Sequence, residues 1–373
     1  MKTLLVLPQP PAAEGGAADR CSLGLIRGLE SHGVDVQVIA AHFSFTPSYD
    51  LPTVDRLDIV QVETAGSWRQ RLDNLVRPHG DLGRGGFAER VREAAAAADV
   101  LHLEQIETAA GLTPLGSQPS VAHLHYRAAF DQAPGPPWRR HYRQVMAFVR
   151  AERRAANAHR WLLANSPRVA DSLREVAPHA EIVVAPLTLD GARYTPASTR
   201  PDAPTAGLIG NGRWAPTAAA LDRLVGRVWP DVVARVPAAQ LLIAGRATEV
   251  RATEDGVVRV GEVPSATAFL RGLDVLVFPV VRGSGMKVKV LEASALGVPV
   301  VTTPEGAEGL PPSDGVIVAT DDRDLAEATS RILLDPAERR QRAEAARATF
   351  DRFLAPGPAT EPIVELYRRM SSS

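Results

Sequence analysis

A glycine-rich stretch in the second half of the chain carries the side chains best suited to chemistry. Gly283 and Gly285 let backbone N–H groups approach a ligand closely, because glycine has no side chain. Lys287 and Lys289 follow, and their ammonium groups are point charges that suit phosphate oxygens. A helix is predicted to begin here, and the free N–H groups and dipole of a helix N-terminus favour anions. The stretch therefore predicts a site for a phosphate-bearing ligand.

Glu292 lies on the same predicted helix, within about two turns of the glycine loop. Its carboxylate is near enough to that loop to accept hydrogen bonds from sugar hydroxyls. An ordinary strand–helix turn with solvated lysines is the alternative interpretation. The occurrence of glycine, lysine and glutamate at one junction favours the ligand site.

Glu104, His123 and His125 follow or end two other predicted strands. The two histidines lie on the same side of their strand, because side chains alternate along a strand. Glu104 follows the strand Asp99–Leu103 and is expected to face the cleft, where it could bind an acceptor. No metal is predicted, since no convincing third ligand stands at a metal-binding spacing. Core histidines bonded to the backbone and a solvated loop carboxylate are the alternative interpretations.

A second glycine pair, Gly15-Gly16, stands between the first predicted strand and a predicted helix. Successive backbone N–H groups in such a loop can form a nest for phosphate or sugar oxygens. An ordinary strand–helix connection is the alternative.

Short apolar runs alternate with amphipathic segments along the chain, the pattern of parallel α/β sheets. We therefore predict two Rossmann-like, doubly wound domains that face a cleft. They comprise an acceptor-side domain at residues 1–190, a linker at 191–204 and a donor-binding domain at 205–356. The breaker Pro356-Gly357-Pro358 is predicted to precede a last helix, Glu361–Arg369, and residues 358–373 are expected to pack back on the first domain.

The predicted strands are Thr3–Leu7, Val34–Ala40, Asp99–Leu103, Ser120–His125, Trp161–Ala164, Ile182–Ala185, Ala206–Gly210, Leu241–Ala244, Val257–Val260, Val275–Pro279, Val298–Thr302 and Val316–Val318. The predicted helices include Asp19–Glu30, Pro216–Arg235, Ser265–Arg271, Lys287–Leu296, Asp322–Leu334 and one from Pro336 to about Leu354.

Composition narrows the class of protein. The 373 residues suffice for two domains, and the net charge of −1 argues against a dedicated nucleic-acid binder. The single cysteine, Cys21, excludes internal disulfides and fits a cytoplasmic protein. Abundant alanine, arginine and proline is typical of a GC-rich bacterial genome. No stretch approaches the roughly 20 apolar residues of a transmembrane helix, which leaves peripheral membrane contact open.

One alternative class comes from the segment Gly210–Ala215, which fits the Gly-x-Gly-x-x-Gly/Ala dinucleotide pattern. An oxidoreductase of that type needs an acidic residue at the end of the next strand. Here the next strand is followed by Gly245-Arg246, and Pro216 stands where the helix should open around a pyrophosphate. The segment therefore does not indicate a dehydrogenase.

The stretch 283–310 resembles the nucleotide-sugar signature of the retaining family 4-like glycosyltransferases of the GT-B fold. That family runs glycine-rich loop, Lys, Leu-Glu-Ala, Gly and Pro-Val-Val. The matching residues here are Gly283, Gly285, Lys289, Leu291-Glu292-Ala293, Gly297, Pro299-Val300-Val301 and Gly306-Ala307-Glu308-Gly309-Leu310. Gly210–Pro216, Leu241–Gly245, Gly261–Val263, Pro186 and Asp190 are similar to further landmarks, so the resemblance spans nearly the whole chain.

The resemblance implies a role for each candidate residue. Glu292 would bind the ribose hydroxyls and Lys289 the diphosphate, while the backbone of Gly283, Ser284, Gly285 and Met286 would face the donor. Gly15 and Gly16 match a common glycine pair. His125 matches a functional histidine and is the catalytic candidate. His123 and Glu104 are candidates for acceptor binding, and Glu305 and Glu308 fall on a loop of the donor pocket.

Two positions depart from the family's pattern. Ser284 stands where many members carry a glutamate that contacts the donor sugar. The start of the second domain also lacks the usual Arg and Lys, so we expect Arg213, Lys287 or both to serve the diphosphate instead. Gly212 is also expected in the donor site.

The expected function is transfer of a hexosyl or deoxyhexosyl group from a nucleotide-diphosphate sugar to an acceptor hydroxyl, with retention and without metal or cofactor. UDP, GDP and dTDP donors are not distinguished, and the acceptor is a small molecule, a glycan or a lipid-linked sugar. A nucleotide-sugar epimerase of the same fold and a non-catalytic partner protein remain as alternatives.

Overall fold

The structure is a computed structural model that describes residues 1–44, 53–64, 66–68, 74, 78–112, 118–132, 135–196, 203–248 and 255–372. The chain divides into two compact units. Unit 1 comprises Met1–Leu189 with Pro356–Ser373, and unit 2 comprises Asp190–Ala355. Each unit is built on one parallel sheet with helices on both faces, so the predicted pair of doubly wound α/β folds is confirmed.

Unit 1 has a seven-stranded sheet in the order β3-β2-β1-β4-β5-β6-β7. Its strands are β1 (Lys2–Leu7), β2 (Asp35–His42), β3 (Leu57–Gln61), β4 (Val100–Glu104), β5 (Ser120–Leu124), β6 (Trp161–Ala164) and β7 (Glu181–Val184). Its helices are α1 (Ala17–Ser31), α2 (Gly85–Ala95), α3 (Gln105–Gly111), α4 (Ala128–Asp131), α5 (Arg140–Ala158), α6 (Pro167–Val176) and α13 (Pro356–Ser371).

The first strand shows why these segments form a buried parallel sheet. Leu4 and Val6 point into one apolar core, and Leu5 and Leu7 point into a second core on the other face. A strand that is apolar on both faces is stable only when helices cover both sides, as in a parallel sheet.

The final helix begins five residues earlier than predicted. Pro356 and Pro358 lie in its first turn, and Pro362 lies inside it. Proline is tolerated in a first turn, because the N–H groups there have no partner within the helix. The segment read as a breaker therefore starts the helix. The helix packs closely on α1, because a Cβ at Gly28 would lie 2.4 Å from Thr360 Cγ2.

Unit 2 has a six-stranded sheet in the order β10-β9-β8-β11-β12-β13. Its strands are β8 (Thr205–Ile209), β9 (Gln240–Ala244), β10 (Val257–Gly261), β11 (Val275–Phe278), β12 (Val300–Thr302) and β13 (Val316–Val318). Its helices are α7 (Ala215–Arg223), α8 (Trp229–Arg235), α9 (Ala266–Arg271), α10 (Val288–Ala295), α11 (Asp322–Leu334) and α12 (Pro336–Thr349). One π-helical turn, Leu224–Val228, joins α7 to α8, and another, Phe350–Leu354, follows α12.

The predicted linker is partly a structural element of unit 2. Residues 190–196 group with that unit, and Tyr194 is 3% exposed. Arg347 of α12 donates a hydrogen bond to the carbonyl of Tyr194. Residues 197–202 of the linker lie outside the described residues.

Each sheet has one switch point, the place between two neighbouring strands where the strand order reverses direction. In unit 1 it lies between β1 and β4, and in unit 2 it lies between β8 and β11. Loops after the two strands at such a point diverge and leave a crevice at the carboxyl ends, where ligands of doubly wound folds bind. The loops after β8 and β11 contain the segments 210–214 and 279–287 that the sequence analysis singled out.

Among the helices of the described part of the chain, none combines the length and the apolar character needed to cross a membrane.

Candidate functional site

The glycine-rich loop lies between β11 and α10, at the switch point of unit 2. Gly283 and Gly285 have φ angles of 132° and 70°, in the left-handed region that a side chain disfavours. The N-cap of α10 is Lys287, and no side chain caps the free N–H groups there. The loop thus combines a tight glycine turn with an uncapped helix N-terminus.

Lys289 reaches from α10 to the loop that follows β8. Its Nζ lies 4.0 Å from the centre of the Phe278 ring and 3.5 Å from Thr217 Oγ1. A Cβ at Gly210 would lie only 3.2 Å from this Nζ. Burial, together with repulsion from Lys287, lowers the pKa of Lys289 to about 8. The ammonium group therefore sits in a poorly solvated position at the switch point.

Lys287 supports the loop that precedes it. Its Nζ donates a hydrogen bond of 2.6 Å to the carbonyl oxygen of Gly285. The N–H of Gly285 in turn donates to Glu308 Oε1 at 2.8 Å. Both the N–H and the carbonyl of Gly285 are therefore hydrogen-bonded within the protein. This N–H was predicted to face the nucleotide-sugar donor, but in this arrangement it is not available for that contact.

Glu292 is 1% exposed, and Tyr194 Oη donates a hydrogen bond of 3.0 Å to its Oε1. Tyr194 falls in the segment that the sequence analysis treated as a linker. No local pattern in the sequence links it to Glu292, because the two residues are 98 positions apart.

The loop after β8 is shaped by backbone contacts. The N–H of Gly212 donates to the carbonyl of Arg246 at 2.8 Å. A Cβ at Gly212 would lie 1.8 Å from the carbonyl oxygen of Ala247, so only glycine fits. Gly212 therefore has a packing role here, and its N–H is not directed at a ligand. Arg213 is exposed, with a side chain that can reach solvent or a ligand.

Three histidines of unit 1 surround the carboxylate of Glu104. Oε1 lies 2.9 Å from His102 Nε2 and 2.7 Å from His123 Nδ1, both as hydrogen bonds. Oε2 lies 2.7 Å from His125 Nε2, a close polar contact whose angles do not make it a hydrogen bond. The other ring nitrogen of His102 is hydrogen-bonded to Tyr367 Oη of α13. We call these five residues the Glu104 cluster.

The charges in the Glu104 cluster follow from burial and from its contacts. Burial alone would raise the pKa of Glu104, but His123, His125 and the hydrogen bonds hold that pKa well below its usual range. Burial lowers the pKa of His123 to about 4, although Glu104 opposes the shift. At neutral pH the cluster therefore contains an ionised carboxylate and a neutral His123.

Direct acceptor binding by Glu104 and His123 does not fit their contacts. Both oxygens of Glu104 already face histidines, and His123 Nδ1 is hydrogen-bonded to Glu104. His125, at 11%, is the most exposed of the three histidines. Glu104 and His123 are better described as residues that hold His125 in place. Glu104 and His123 are paired in the register of β4 and β5. Predicting that pairing from the sequence could have revealed that the two side chains lie together.

The cluster also contains the donor atoms of a metal site. One atom each from His102, Glu104 and His123 lies within 4.8 Å of the others. Two ligands of one tetrahedral zinc ion are separated by roughly 3.4 Å. The N···O distances of 2.7 and 2.9 Å are shorter than that and match hydrogen bonds. The described arrangement is therefore that of a hydrogen-bonded cluster.

The loop with Gly15 and Gly16 holds an acidic side chain instead of an open nest. Asp19 accepts a hydrogen bond of 2.7 Å from the Gly16 N–H, and Gln9 donates to its other oxygen. Burial raises the pKa of Asp19 to about 6. Because this carboxylate occupies the position of an anion, the predicted phosphate nest does not fit the loop as it stands.

Comparison with known proteins supports the class of site. Residues 203–335 match the family model described as glycosyl transferases group 1. Solved structures that cover the whole chain with a similar fold include a sucrose-phosphate synthase and the catalytic domain of a starch synthase. The fold is GT-B. The predicted GT-B fold is thereby confirmed, and residues 203–335 resemble the glycosyl transferases group 1 family.

Three GT-B structures illustrate the likeness. Sucrose-phosphate synthase from Thermosynechococcus elongatus has a TM-score of 0.74 at 17% identity, with 100% of both chains covered. HepE of Anabaena, in complex with UDP and glucose, has a TM-score of 0.65 at 14% identity, with 99% of both chains covered. The catalytic domain of starch synthase IV from Arabidopsis thaliana, bound to ADP and acarbose, has a TM-score of 0.68 at 12% identity, with 100% of both chains covered. No curated protein matches the chain.

Proposed function

We propose that this GT-B chain transfers a hexosyl or deoxyhexosyl group from a nucleotide-diphosphate sugar to an acceptor hydroxyl, with retention of configuration. The observation that carries the proposal is the position of Lys289. Its poorly solvated ammonium group lies beside Gly210 at the switch point, next to an uncapped helix N-terminus. This arrangement suits a diphosphate better than any other common ligand.

The proposed chemistry is stabilisation of the leaving group. As the glycosidic bond breaks, negative charge grows on the nucleoside diphosphate and positive charge grows on the anomeric carbon. Lys289 and the N–H groups at the start of α10 would stabilise the departing diphosphate. Lys287, once released from the Gly285 carbonyl, would add a second cation. These groups supply the positive charge that a metal ion provides in other transferases, so the proposal includes no metal or cofactor.

Glu292 and His125 have separate parts in this proposal. Glu292 would accept hydrogen bonds from the ribose hydroxyls, with Tyr194 orienting its carboxylate. His125, in contact with Glu104, would meet the transferred sugar or the acceptor. The identity of the donor's nucleobase stays open, because structures with UDP and with ADP are both similar to this chain.

Tyr194→Phe tests the role of the Glu292 carboxylate. The variant removes one hydrogen bond to a charged acceptor, a loss of about 1.5 kcal/mol or roughly tenfold. We expect KM for the donor to rise by about that factor while kcat changes little, the pattern of lost ground-state binding. Steady-state kinetics against donor concentration measures both. A fall in kcat with KM unchanged would contradict the assignment of Glu292 to the ribose.

The pH dependence of nucleotide binding tests Lys289. Because its pKa in the free protein is about 8, the ammonium form that a diphosphate needs disappears as the pH rises through that value. The dissociation constant for a nucleoside diphosphate should therefore increase about tenfold between roughly pH 7 and pH 9.

Lys289→Arg is the matched control for this dependence, because a guanidinium stays protonated throughout the range. Whatever the affinity of this variant, it should not vary with pH. Calorimetric titrations at both pH values give the constants. A wild-type affinity that is independent of pH would contradict contact between Lys289 and the diphosphate.

The experiment that tests the proposed function is an incubation with UDP-, GDP- and dTDP-sugars, with and without candidate acceptors, followed by mass spectrometry. The proposal predicts a glycosylated acceptor and free nucleoside diphosphate. Conversion of the donor sugar without an acceptor would instead indicate an epimerase. Correctly folded protein that neither binds nor consumes any of these donors would indicate a non-catalytic protein.

A further inference from the structure

Helix α5 and the turn before it form a positively charged surface on unit 1. Arg139, Arg143, Arg150 and Arg153 are exposed along it, and Trp138 precedes them. We call these five residues the basic face. The only acidic residue of α5 is Glu152, which is 1% exposed and paired with Arg127. The positive charge of the basic face is therefore not neutralised within its own helix.

Neighbouring elements do not neutralise it either. On α4, Asp131 is buried. On α6, Asp171 is paired with Arg174 of the same helix. Its other exposed charges are one acid, Glu175, and one base, Arg168, so α6 carries no net negative charge. On α3, Glu107 is half-buried. Among the described residues that pack on α5, no surplus of exposed acidic side chains faces the arginines.

The distribution of charge is unfavourable for the helix itself. The first turn contains no acidic residue, and Arg139 occupies the N-cap, next to the positive end of the helix dipole. Arg150 and Arg153 are also three positions apart, where like charges repel. A helix that needed only solubility would carry mixed charges. The arrangement therefore fits a surface that meets a negatively charged partner.

Trp138 indicates the kind of partner. Its side chain is 81% exposed, more than that of any other large apolar residue described. The other highly exposed tryptophan is Trp68, at 67%, also in unit 1. An indole ring prefers the boundary between lipid headgroups and acyl chains, and basic residues beside it are attracted to anionic headgroups. A small inorganic anion would use the arginines but would gain nothing from an exposed indole, whereas the bases of a single-stranded nucleic acid can stack on it. RNA is therefore the competing partner that the experiment has to distinguish.

The packing of α5 within unit 1 determines which side of the helix can contact a lipid bilayer. Val145, Ala151, Ala155 and Ala156 are buried in unit 1, so the apolar side of the helix is already occupied. The helix cannot turn this side towards lipid. We propose that unit 1 docks on an anionic lipid bilayer, with the basic face against the headgroups and Trp138 at the interface. The docking does not depend on the transfer reaction.

Sedimentation with vesicles of phosphatidylcholine, with and without phosphatidylglycerol, tests this proposal on the full chain. The wild-type protein should pellet with the anionic vesicles and not with phosphatidylcholine alone, and added salt should release it. Replacing Arg143, Arg150 and Arg153 together with glutamine should lower the partition constant on the order of 100-fold, since each basic residue near such a surface contributes about fivefold.

The matched control replaces Arg235, Arg323 and Arg340 of unit 2 with glutamine. These arginines are also exposed, and the change in net charge is the same. This control should pellet like the wild-type protein, whereas Trp138→Ala should bind more weakly at unchanged charge. Equal loss in both triple variants would overturn the proposal, because binding would then follow net charge alone. Unchanged vesicle binding by Trp138→Ala, with capture of RNA by the same arginines, would also overturn it in favour of a soluble polyanion.

Discussion

Lys289→Met is expected to lower kcat by about 10²- to 10³-fold, the usual effect of removing one preorganised group that stabilises transition-state charge. The ammonium group lies at the switch point of unit 2, beside Gly210 and above the ring of Phe278. Methionine keeps the apolar contact with that ring but carries no charge. Steady-state kinetics with saturating donor measures the effect.

The folded state should tolerate this substitution. Burial and Lys287 both disfavour the charged form of Lys289, so its removal relieves an unfavourable position. The melting temperature of Lys289→Met should therefore equal or exceed that of the wild-type protein. Arg340→Met, at an exposed position of α12, is the control and should leave kcat unchanged. A Lys289→Met protein with near-normal turnover would show that the diphosphate binds elsewhere.

Glu104→Gln is expected to destabilise unit 1 by about 3 kcal/mol and to lower kcat at the same time. The carboxylate accepts hydrogen bonds from His102 and His123 at Oε1 and contacts His125 at Oε2. An amide oxygen can take the place of Oε1, but the two hydrogen bonds then lose their charged acceptor. The amide N–H₂ would face an imidazole nitrogen at one of these contacts. Hydrogen bonds to charged groups contribute about 1.5–3 kcal/mol each, and a buried donor without a partner is unfavourable.

Kinetics distinguish a positioning role of Glu104 from a purely structural one. If the carboxylate holds His125, kcat should fall while the affinity of unit 2 for a nucleoside diphosphate stays unchanged. Denaturant unfolding followed by tryptophan fluorescence gives the stability. Glu175→Gln, an exposed carboxylate of the same unit, is the control and should change neither quantity. Normal stability and normal kcat in Glu104→Gln would refute the role of the cluster.

The features that were predictable from the sequence are local ones. Buried strands appear as short apolar runs, so both sheets and most of their strands could be predicted with end points within a few residues. The glycine loop with Lys289 and Glu292 could be found because its residues are adjacent in the chain. Only the short strand β3 and several helices of unit 1 lacked a clear local signal.

The features that were missed depend on contacts between distant segments. Tyr367 and His102 are 265 positions apart, and Tyr194 and Glu292 are 98 positions apart, so neither pair has a sequence signature. Acceptor binding was assigned to Glu104 because it follows a strand whose end was expected to face the cleft, and the alternative was a solvated loop carboxylate. The pairing of β4 with β5 instead places His123 beside it and buries both.

Two other differences have local causes that were misread. Asp19 stands three residues after Gly16, the spacing of a capping interaction, and its carboxylate fills the nest predicted for phosphate. Pro356 and Pro358 were interpreted as a helix breaker, but a first helical turn accepts proline. In both cases the residues at the start of a helix decide the structure.

The most direct test of the central claim, that unit 2 binds a nucleoside diphosphate at Lys289 and Glu292, is the melting temperature as a function of UDP, GDP, dTDP and ADP concentration. At about 100 times the dissociation constant, binding should stabilise the wild-type protein by about 2.7 kcal/mol. The account predicts this shift for at least one nucleotide with the wild-type protein, and a much smaller shift with Lys289→Met and Glu292→Ala. No shift with any nucleotide, or equal shifts in both variants and the wild-type protein, would contradict it.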